Sequence, residues 1–475
     1  MNKKQSAIDT IEEKKALICE VADRIWEYAE LSLKEYNSCN LYCEVLEKEG
    51  FAVEKGICDI PTAFSAGFGS GSPRIGILAE YDALSGLSQE RGIAEERACS
   101  HGGNGHGCGH NLLGAGAMAA AIGIKKYIED GGKGTVILYG CPGEEGCASK
   151  AFMARDGVWN DLDCALTWHP ADCNEVVTGS SNSCIQYLYT FYGTASHASN
   201  APEKGRSALD AVELMNIGVQ FLREHMDDRA RIHYAITDAG GVSPNVVQSR
   251  AQVLYMVRSN YVRDALELLK RVDKIAEGAA LMTETRCEKK FVDGLSDTVT
   301  NRTLEEVLYK NFTEIPIPEY SEEELKFARE LSMTYEGRDI TPGIGSAEDI
   351  LYAGEVKDLV QKDNPLNPFL LPTYKGDAFN PGSTDVGDVS QNTPTAQIHV
   401  CAWPNGCPGH SWQSVSSAGS SIGHKAAILA GKVICGAAID LIESPEILHK
   451  AREEFEKRTA RDYVCPIPEG VKAEV

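Results

Sequence analysis

No two of the sixteen cysteines stand in a C-x-x-C pair, and their spacing follows no regular framework. That excludes a disulfide scaffold as the organising principle and leaves reduced thiols as the expected state. Cys39 and Cys43, four apart on a predicted helix, read as free buried thiols. No uncharged apolar run reaches the ~18 residues a membrane span needs, so none is expected. The opening stretch "MNKKQSAIDTIEEKKALICE" lacks an apolar core, so no signal peptide is expected and the cytoplasm is the expected compartment. Internal repeats and low-complexity tracts are missing too. Positive charge is in deficit: 46 Lys and Arg face 69 Asp and Glu, a formal net charge of −23. Such a field repels polyanions, so neither nucleic acid nor an anionic membrane is an expected partner. The acids are spread along the chain rather than gathered in a tail, and read as a solubilising surface.

What is present is a chain of 475 residues, too long for one hydrophobic core. Apolar residues at helical spacing predict helices over 8–32 and 36–49. "FAVEKGI" and "TAFSAGFG" predict short strands. Three apolar runs then end in polar residues: "RIGILAEYDAL" (74–84), "GTVILYGCPGEEG" (134–146) and "LDCALTWHP" (162–170). Buried strands that deliver polar groups at their C-terminal ends, separated by a small-residue helix ending near Gly131, predict an α/β sheet with its chemistry at one edge. From about residue 182 the texture changes. "CIQYLYTFYG", a helix, "AQVLYMVRS", a helix and "CEKKFVDG" predict a smaller α+β domain of ferredoxin-like order inserted in the first. The expected domains are therefore 1–181 with 299–475, and 182–298. The resumed part is expected to hold helices at 302–313 and 321–333, a loop-rich tract over 336–394, the strand "TAQIHVCAW" and a long closing helix. Within that tract, 361–393 reads as one long loop.

The residues that can carry chemistry sit at those strand ends. In "GNGHGCGHN" (103–111), Cys108 and His110 suit zinc and related metals, and the glycines let backbone wrap closely around an ion. Read alone, the stretch is equally a flexible loop with a buried thiol. His106 has no assigned role, and a closed structural zinc clamp lacks a fourth nearby ligand. Glu144 and Glu145 are adjacent, so they point apart. One can hold a metal while the other takes a proton from water, the division metal-assisted hydrolysis needs; a solvated acidic turn is the plainer reading. His169 and His410 each follow a strand. Together these turns supply Cys, His, Glu, His and His, more than one zinc accepts and enough for two ions. Asp82 can orient a ligand histidine. Arg258 can grip a carboxylate with its two-pronged guanidinium, or simply face solvent. Asp385 and Asp388 in "GSTDVGDVS" line a pocket or cap a helix.

"GHGCGHN", "PGEEG", "TWHP", "GTASHAS" with "GRSALDA", and "PGHSWQ", in this order, resemble the M20 metallopeptidase/amidohydrolase family. "AEYDALSGLSQ", "STDVGDVS" and "SIGHKAAILAGKVI" point to its aminobenzoyl-glutamate branch. The resemblance implies a three-layer α/β catalytic domain with a dinuclear centre, interrupted by a lid through which two chains pair. It implies Cys108, His110, Glu145, His169 and His410 as ligands to two divalent ions, manganese or zinc. It makes Glu144 the general base and then the acid to the leaving amine. It makes His197 a lid residue that reaches the partner's site and stabilises the oxyanion, and places Asn245 near the substrate. Ser85 stands where the wider family has proline, and Asn111 where many relatives have aspartate; neither change removes a ligand. The implied substrate is an N-acyl amino acid, first p-aminobenzoyl-glutamate. A carboxypeptidase-like or β-alanyl-dipeptidase-like hydrolase, or a non-catalytic companion subunit in a hetero-oligomer, are the alternatives.

Overall fold

Short apolar runs rich in Val, Ile and Leu are placed where both faces of a strand are covered, and this chain uses them at the centre of a sheet. The computed structural model describes residues 2–361, 363–460 and 463–474. In chain order its strands are β1 (Ala52–Lys55), β2 (Phe64–Ser70), β3 (Arg74–Ala79), β4 (Gly134–Gly140), β5 (Cys164–Ala171), β6 (Glu175–Val176), β7 (Ser180–Ser181), β8 (Ser183–Tyr192), β9 (Arg231–Asp238), β10 (Arg250–Ser259), β11 (Arg286–Leu295), β12 (Phe379–Asn380) and β13 (Thr395–Cys401). The larger sheet runs β1-β2-β4-β3-β5-β13-β6. Its four inner strands, β4, β3, β5 and β13, are parallel, and antiparallel strands close both edges. All seven residues of β4 are buried.

Helices cover both faces. On one, His110–Glu129 packs along Ser421–Glu443. Both are built largely of Ala, Gly and Ile, so their backbones approach closely: a Cβ on Gly431 would meet Ala119 Cβ at 2.7 Å. On the other face, Met153 of the helix Ser149–Arg155 joins Trp159, Tyr139 and Leu162 in a second cluster. The expected α/β class is what the chain adopts. Among the described residues, no helix is long and apolar enough to cross a membrane.

The second sheet has the order β11-β8-β10-β9 and is antiparallel throughout. The helices Ala208–Arg223 and Val262–Thr283 pack on it around Tyr189, Phe191, Val253 and Tyr255. A strand–helix–strand–strand–helix–strand path with that order is ferredoxin-like.

Several elements depart from the sequence expectation. The tract 8–32 is two helices, Lys3–Glu13 and Lys15–Tyr28, broken at Lys14. The tract 336–394 contains the helix Ile350–Leu359, started by Asp349, whose carboxylate accepts from the backbone of Leu351 and Tyr352. Only Tyr352 and Val356 of that helix are buried, so no amphipathic stripe announces it. A final helix, Pro445–Arg458, buries only Leu448, Ala451 and Phe455 within a charged stretch. Strand β9, which none of the apolar runs located, lies on the outer edge of its sheet with most side chains exposed. Of the expected 361–393 loop, Lys362 lies outside the described residues. The remainder holds β12 and the short helix Val386–Ser390, and both Asp385 and Asp388 are fully buried rather than lining a pocket.

Candidate metal centre

The C-terminal ends of the four parallel strands lie on one edge, the place where open α/β sheets assemble sites. Beyond β3 the chain continues through Glu80 and Asp82, and beyond β4 through the turn that carries Glu144 and Glu145. His169 lies near the end of β5, and β13 leads into the turn that carries His410. Cys108 and His110 arrive from the opposite direction, at the start of the helix His110–Glu129. Gly109 is required there: its φ is +76°, and a Cβ would press on Pro170 and Trp403 at 3.0 and 3.1 Å. Two hydrogen bonds fasten the 107 and 410 turns together. The His410 N–H donates to Gly107 O (3.1 Å), and the Ser414 hydroxyl donates to the same oxygen (2.7 Å). His410 itself has φ +53°, uncommon for a non-glycine residue, and the turn that holds it so aims its ring at Glu145.

Cys108 Sγ lies 3.3 Å from His169 Nε2, His410 Nε2 lies 3.2 Å from Glu145 Oε1, and His110 Nε2 lies 3.2 Å from Glu80 Oε2. Among the described residues, three triads present one ligand atom per residue within 4.8 Å of one another: Cys108–His110–His169, Cys108–Glu145–His410 and Glu80–His110–Glu144. The other nitrogen of each inner histidine is already engaged. The His110 Nδ1–H donates to Asp82 (2.8 Å), and the His169 Nδ1–H donates to Pro170 O (2.7 Å). With those Nδ1–H groups engaged, Nε2 is the nitrogen each ring would offer to an ion at the centre, the usual second-partner arrangement of metal-bound histidine. Among the described residues, His110 Nε2 and Glu145 Oε1 are buried with no well-formed hydrogen bond. Buried orphans are costly, and here they converge on one small space with a thiol and further imidazoles. That donor set fits divalent ions of the zinc and manganese type.

The local electrostatics point the same way. Burial would raise the Cys108 thiol, but His169 and His110 beside it outweigh that and hold it well below the usual thiol range. Burial opposes charge on His110 too, yet Cys108 and Asp82 push it well above the usual imidazole range. The Cys108 thiol and the Glu145 carboxylate beside it raise His410 to about 10. Low-dielectric surroundings, then the carboxylates of Glu80, Asp385 and Glu145, raise Glu144 well above the usual carboxyl range. Such crowding of acids beside an ionised thiol is what a divalent cation relieves.

Asp82 is fully buried against His110 and also accepts from the Glu145 backbone N–H (3.0 Å) and the Ser32 hydroxyl (2.9 Å). His106 is buried, its Nε2 2.9 Å from Ile25 O, and burial pushes it down to about 4; it pins the loop to a helix and joins none of the triads. His197 and Asn245 lie together on the smaller domain, both exposed, with the Ala198 N–H donating to Asn245 O (3.0 Å). Among the described residues neither is hydrogen-bonded to the cluster. Arg258 donates to Ser383 Oγ at 2.7 Å, across to the loop before Asp385.

Sequence reasoning missed three participants. Glu35 accepts the Gly143 N–H (2.8 Å) and so supports the Glu144 turn. Lys150, fully buried, is 2.7 Å from Glu80 Oε1 and 2.5 Å from Asp385 Oδ1. Glu80 itself carried a signal: it is two residues from Asp82, so both side chains leave the strand end on the same side.

A family model described as a peptidase dimerisation domain matches residues 181–283. The chain is 43% identical over 466 residues to a subunit of the p-aminobenzoyl-glutamate hydrolase of Escherichia coli (strain K12), covering 98% of this chain and 97% of that one. Among solved structures it resembles an aminobenzoyl-glutamate utilization protein from Klebsiella pneumoniae (TM-score 0.59, 15% identity, 91% of this chain and 97% of that one). It also resembles a dinuclear metal-binding peptidase of the M20 family from Bacillus subtilis (TM-score 0.55, 15% identity, 91% and 99%).

Proposed function

This chain belongs to the M20 family of metallopeptidases and amidohydrolases, and from that membership we propose that it hydrolyses p-aminobenzoyl-glutamate to p-aminobenzoate and glutamate. The enzyme class is that of a metal hydrolase acting on amide bonds. The substrate follows its relative, the E. coli p-aminobenzoyl-glutamate hydrolase chain. One observation carries the mechanism: two ligand triads, Cys108–His110–His169 and Cys108–Glu145–His410, share a single thiolate. That arrangement supports two divalent ions, Mn2+ or Zn2+, side by side. Bound there, the ions supply Lewis acidity, lowering the pKa of water and polarising the scissile carbonyl.

The chain's own residues do the rest. Glu144 takes the proton from the attacking water and delivers it to the departing α-amino group of glutamate, so that one water is consumed and one carboxylic acid and one amine are released. Its raised proton affinity suits both halves of that task. His197 Nδ1 accepts the backbone N–H groups of Ser199 (3.3 Å) and Asn200 (3.2 Å), which leaves Nε2–H as the free donor. A free donor on the lid is suited to a developing oxyanion in the partner's site. Asn245 and Arg258 are assigned to the substrate's polar and carboxylate groups.

Residues 182–298 form the lid, and two copies of the chain pair through it. Ile217 and Phe221, exposed one turn apart on the helix Ala208–Arg223, support that pairing. The relative's designation as one subunit of its hydrolase makes a related chain the alternative partner. Sixteen unpaired cysteines support a reducing, cytoplasmic setting.

The test is release of p-aminobenzoate by the purified chain with Mn2+ or Zn2+ added. Metal-dependent release that chelator abolishes supports the reading. Turnover of other N-acyl amino acids or dipeptides alone moves the substrate; no turnover of any, with ions bound, makes the chain a companion subunit.

A further inference from the structure

We propose that His399, held by Glu175, reads the acyl end of the substrate: its Nε2 accepts an N–H from an amine on the acyl group, which in a p-aminobenzoyl substrate is the para-amine. This rests on the amide-hydrolase reading above and adds a substrate class to it, acyl groups that carry an amine. His399 belongs to none of the three triads of the centre.

Strand register brings the residue to the site. His399 is the parallel partner of His169 on β5 and the antiparallel partner of Glu175 on β6. Residues paired across strands turn their side chains to the same face, so the three stand in a row beside the centre. The His169 and His399 ring centroids are 6.2 Å apart. The His399 Nδ1–H donates to Glu175 Oε1 (2.8 Å). Glu175 is almost fully buried, and its other oxygen accepts the Ile344 N–H (3.0 Å). The imidazole is thereby fixed in rotation. Among the described residues its Nε2 has no hydrogen-bond partner, and the side chain is 24% exposed, so that nitrogen is open to a ligand.

The chemistry around Nε2 selects the group it takes. With Nδ1–H given to Glu175, Nε2 is an acceptor in the neutral ring. Asp172, whose Oδ2 accepts the Gly406 N–H (2.8 Å), stands close enough to interact with both Glu175 and His399. A substrate carboxylate placed at Nε2 would face those two acids, whereas an N–H donor meets an acceptor in acidic surroundings. The spacing agrees. With the scissile carbonyl at the metal centre, a para-substituted ring sets its amine one ring length away, the same order as the separation of the two imidazoles.

The experiment measures kcat and KM for p-aminobenzoyl-glutamate and for benzoyl-glutamate, which lacks the amine, in metal-loaded wild type and His399→Asn. Asparagine keeps an N–H where Nδ1 stood, and with it the bond to Glu175, but has nothing at the Nε2 position. Wild type should favour the amino substrate at least about tenfold in kcat/KM. In His399→Asn that preference should collapse, through a higher KM for the amino substrate. The same preference in both proteins overturns the proposal. So does a loss of equal size on both substrates, which makes His399 a support of His169 alone. p-Aminobenzoate and benzoate, compared as inhibitors of wild type, give the same contrast free of the amine's electronic effect on the amide, and need no variant to fold. Equal inhibition by the two overturns the proposal. Hydrolysis of neither substrate by metal-loaded wild type overturns the substrate reading itself and this inference with it.

Discussion

Asp82 Oδ1 and His110 Nδ1 are 2.8 Å apart, with both side chains fully buried. The second Asp82 oxygen takes the backbone N–H of Glu145 at 3.0 Å. One carboxylate thus fixes the ring of a proposed ligand histidine and the turn of a proposed ligand glutamate together. Burial opposes its charge, but His110 and these hydrogen bonds hold Asp82 down at about 2. Asp82→Asn should therefore weaken metal binding about 10- to 100-fold without removing a ligand. Calorimetric titration of stripped protein measures this, and unchanged affinity would show that the ligands are oriented without Asp82.

Glu144 is adjacent to Glu145 and shares a triad with Glu80 and His110. Glu144→Gln removes the proposed proton acceptor but leaves the proposed metal ligands in place. The expected result is kcat lower by about 10²–10⁴-fold with both ions still bound. Elemental analysis beside the rate measurement makes the two halves separable, and near-normal turnover would sink the general-base role.

The parts of the site that were legible in sequence were the local ones. "TWHP" and "PGEEG" each close an apolar strand run, so their histidine and glutamates announce a strand end before any fold is known. Lys150 and Asp385, by contrast, are 235 residues apart and meet only because the helix after β4 and the loop before β13 share one face of the sheet. No spacing rule anticipates that pair. The same division holds for the fold. β4, buried along its length, was evident, whereas the helix Ile350–Leu359 leaves Ile350 and Leu351 exposed and is stabilised mainly by its Asp349 cap and two buried side chains. Periodicity reports burial, and an element that buries little has little to report.

Cys108 offers a readout of metal occupancy. Its thiol is held well below the usual range, against the effect of burial, by His169 and His110. Thiolate is the reactive form toward alkylators. Metal-stripped protein should lose its ability to rebind both ions after iodoacetamide at neutral pH, and prior Zn2+ should protect it. Peptide mapping that finds Cys108 equally alkylated with and without Zn2+ would remove the thiol from the ligand set.

Asp388 gives a pH signature at the junction of the two sheets. Its Oδ2 accepts the Ser296 N–H (2.9 Å), and its Oδ1 accepts the hydroxyls of Ser296 (2.7 Å) and Tyr463 (2.8 Å). Burial raises the carboxyl from 3.8 to about 7; the three donors pull it down without cancelling that, and Asp385 adds to the rise. The folded chain thus keeps a proton that the unfolded chain releases near pH 4. Stability from the protonated group is fully present below the unfolded value and is lost as pH rises through about 7. Asparagine at this position does not titrate. The urea midpoint of metal-stripped wild type should therefore fall relative to Asp388→Asn between pH 5 and pH 8, while titrations common to both proteins cancel in the difference. A gap between the two proteins that stays constant across that range would mean that Asp388 is ionised in the folded chain, with Ser296 and Tyr463 stabilising its charge.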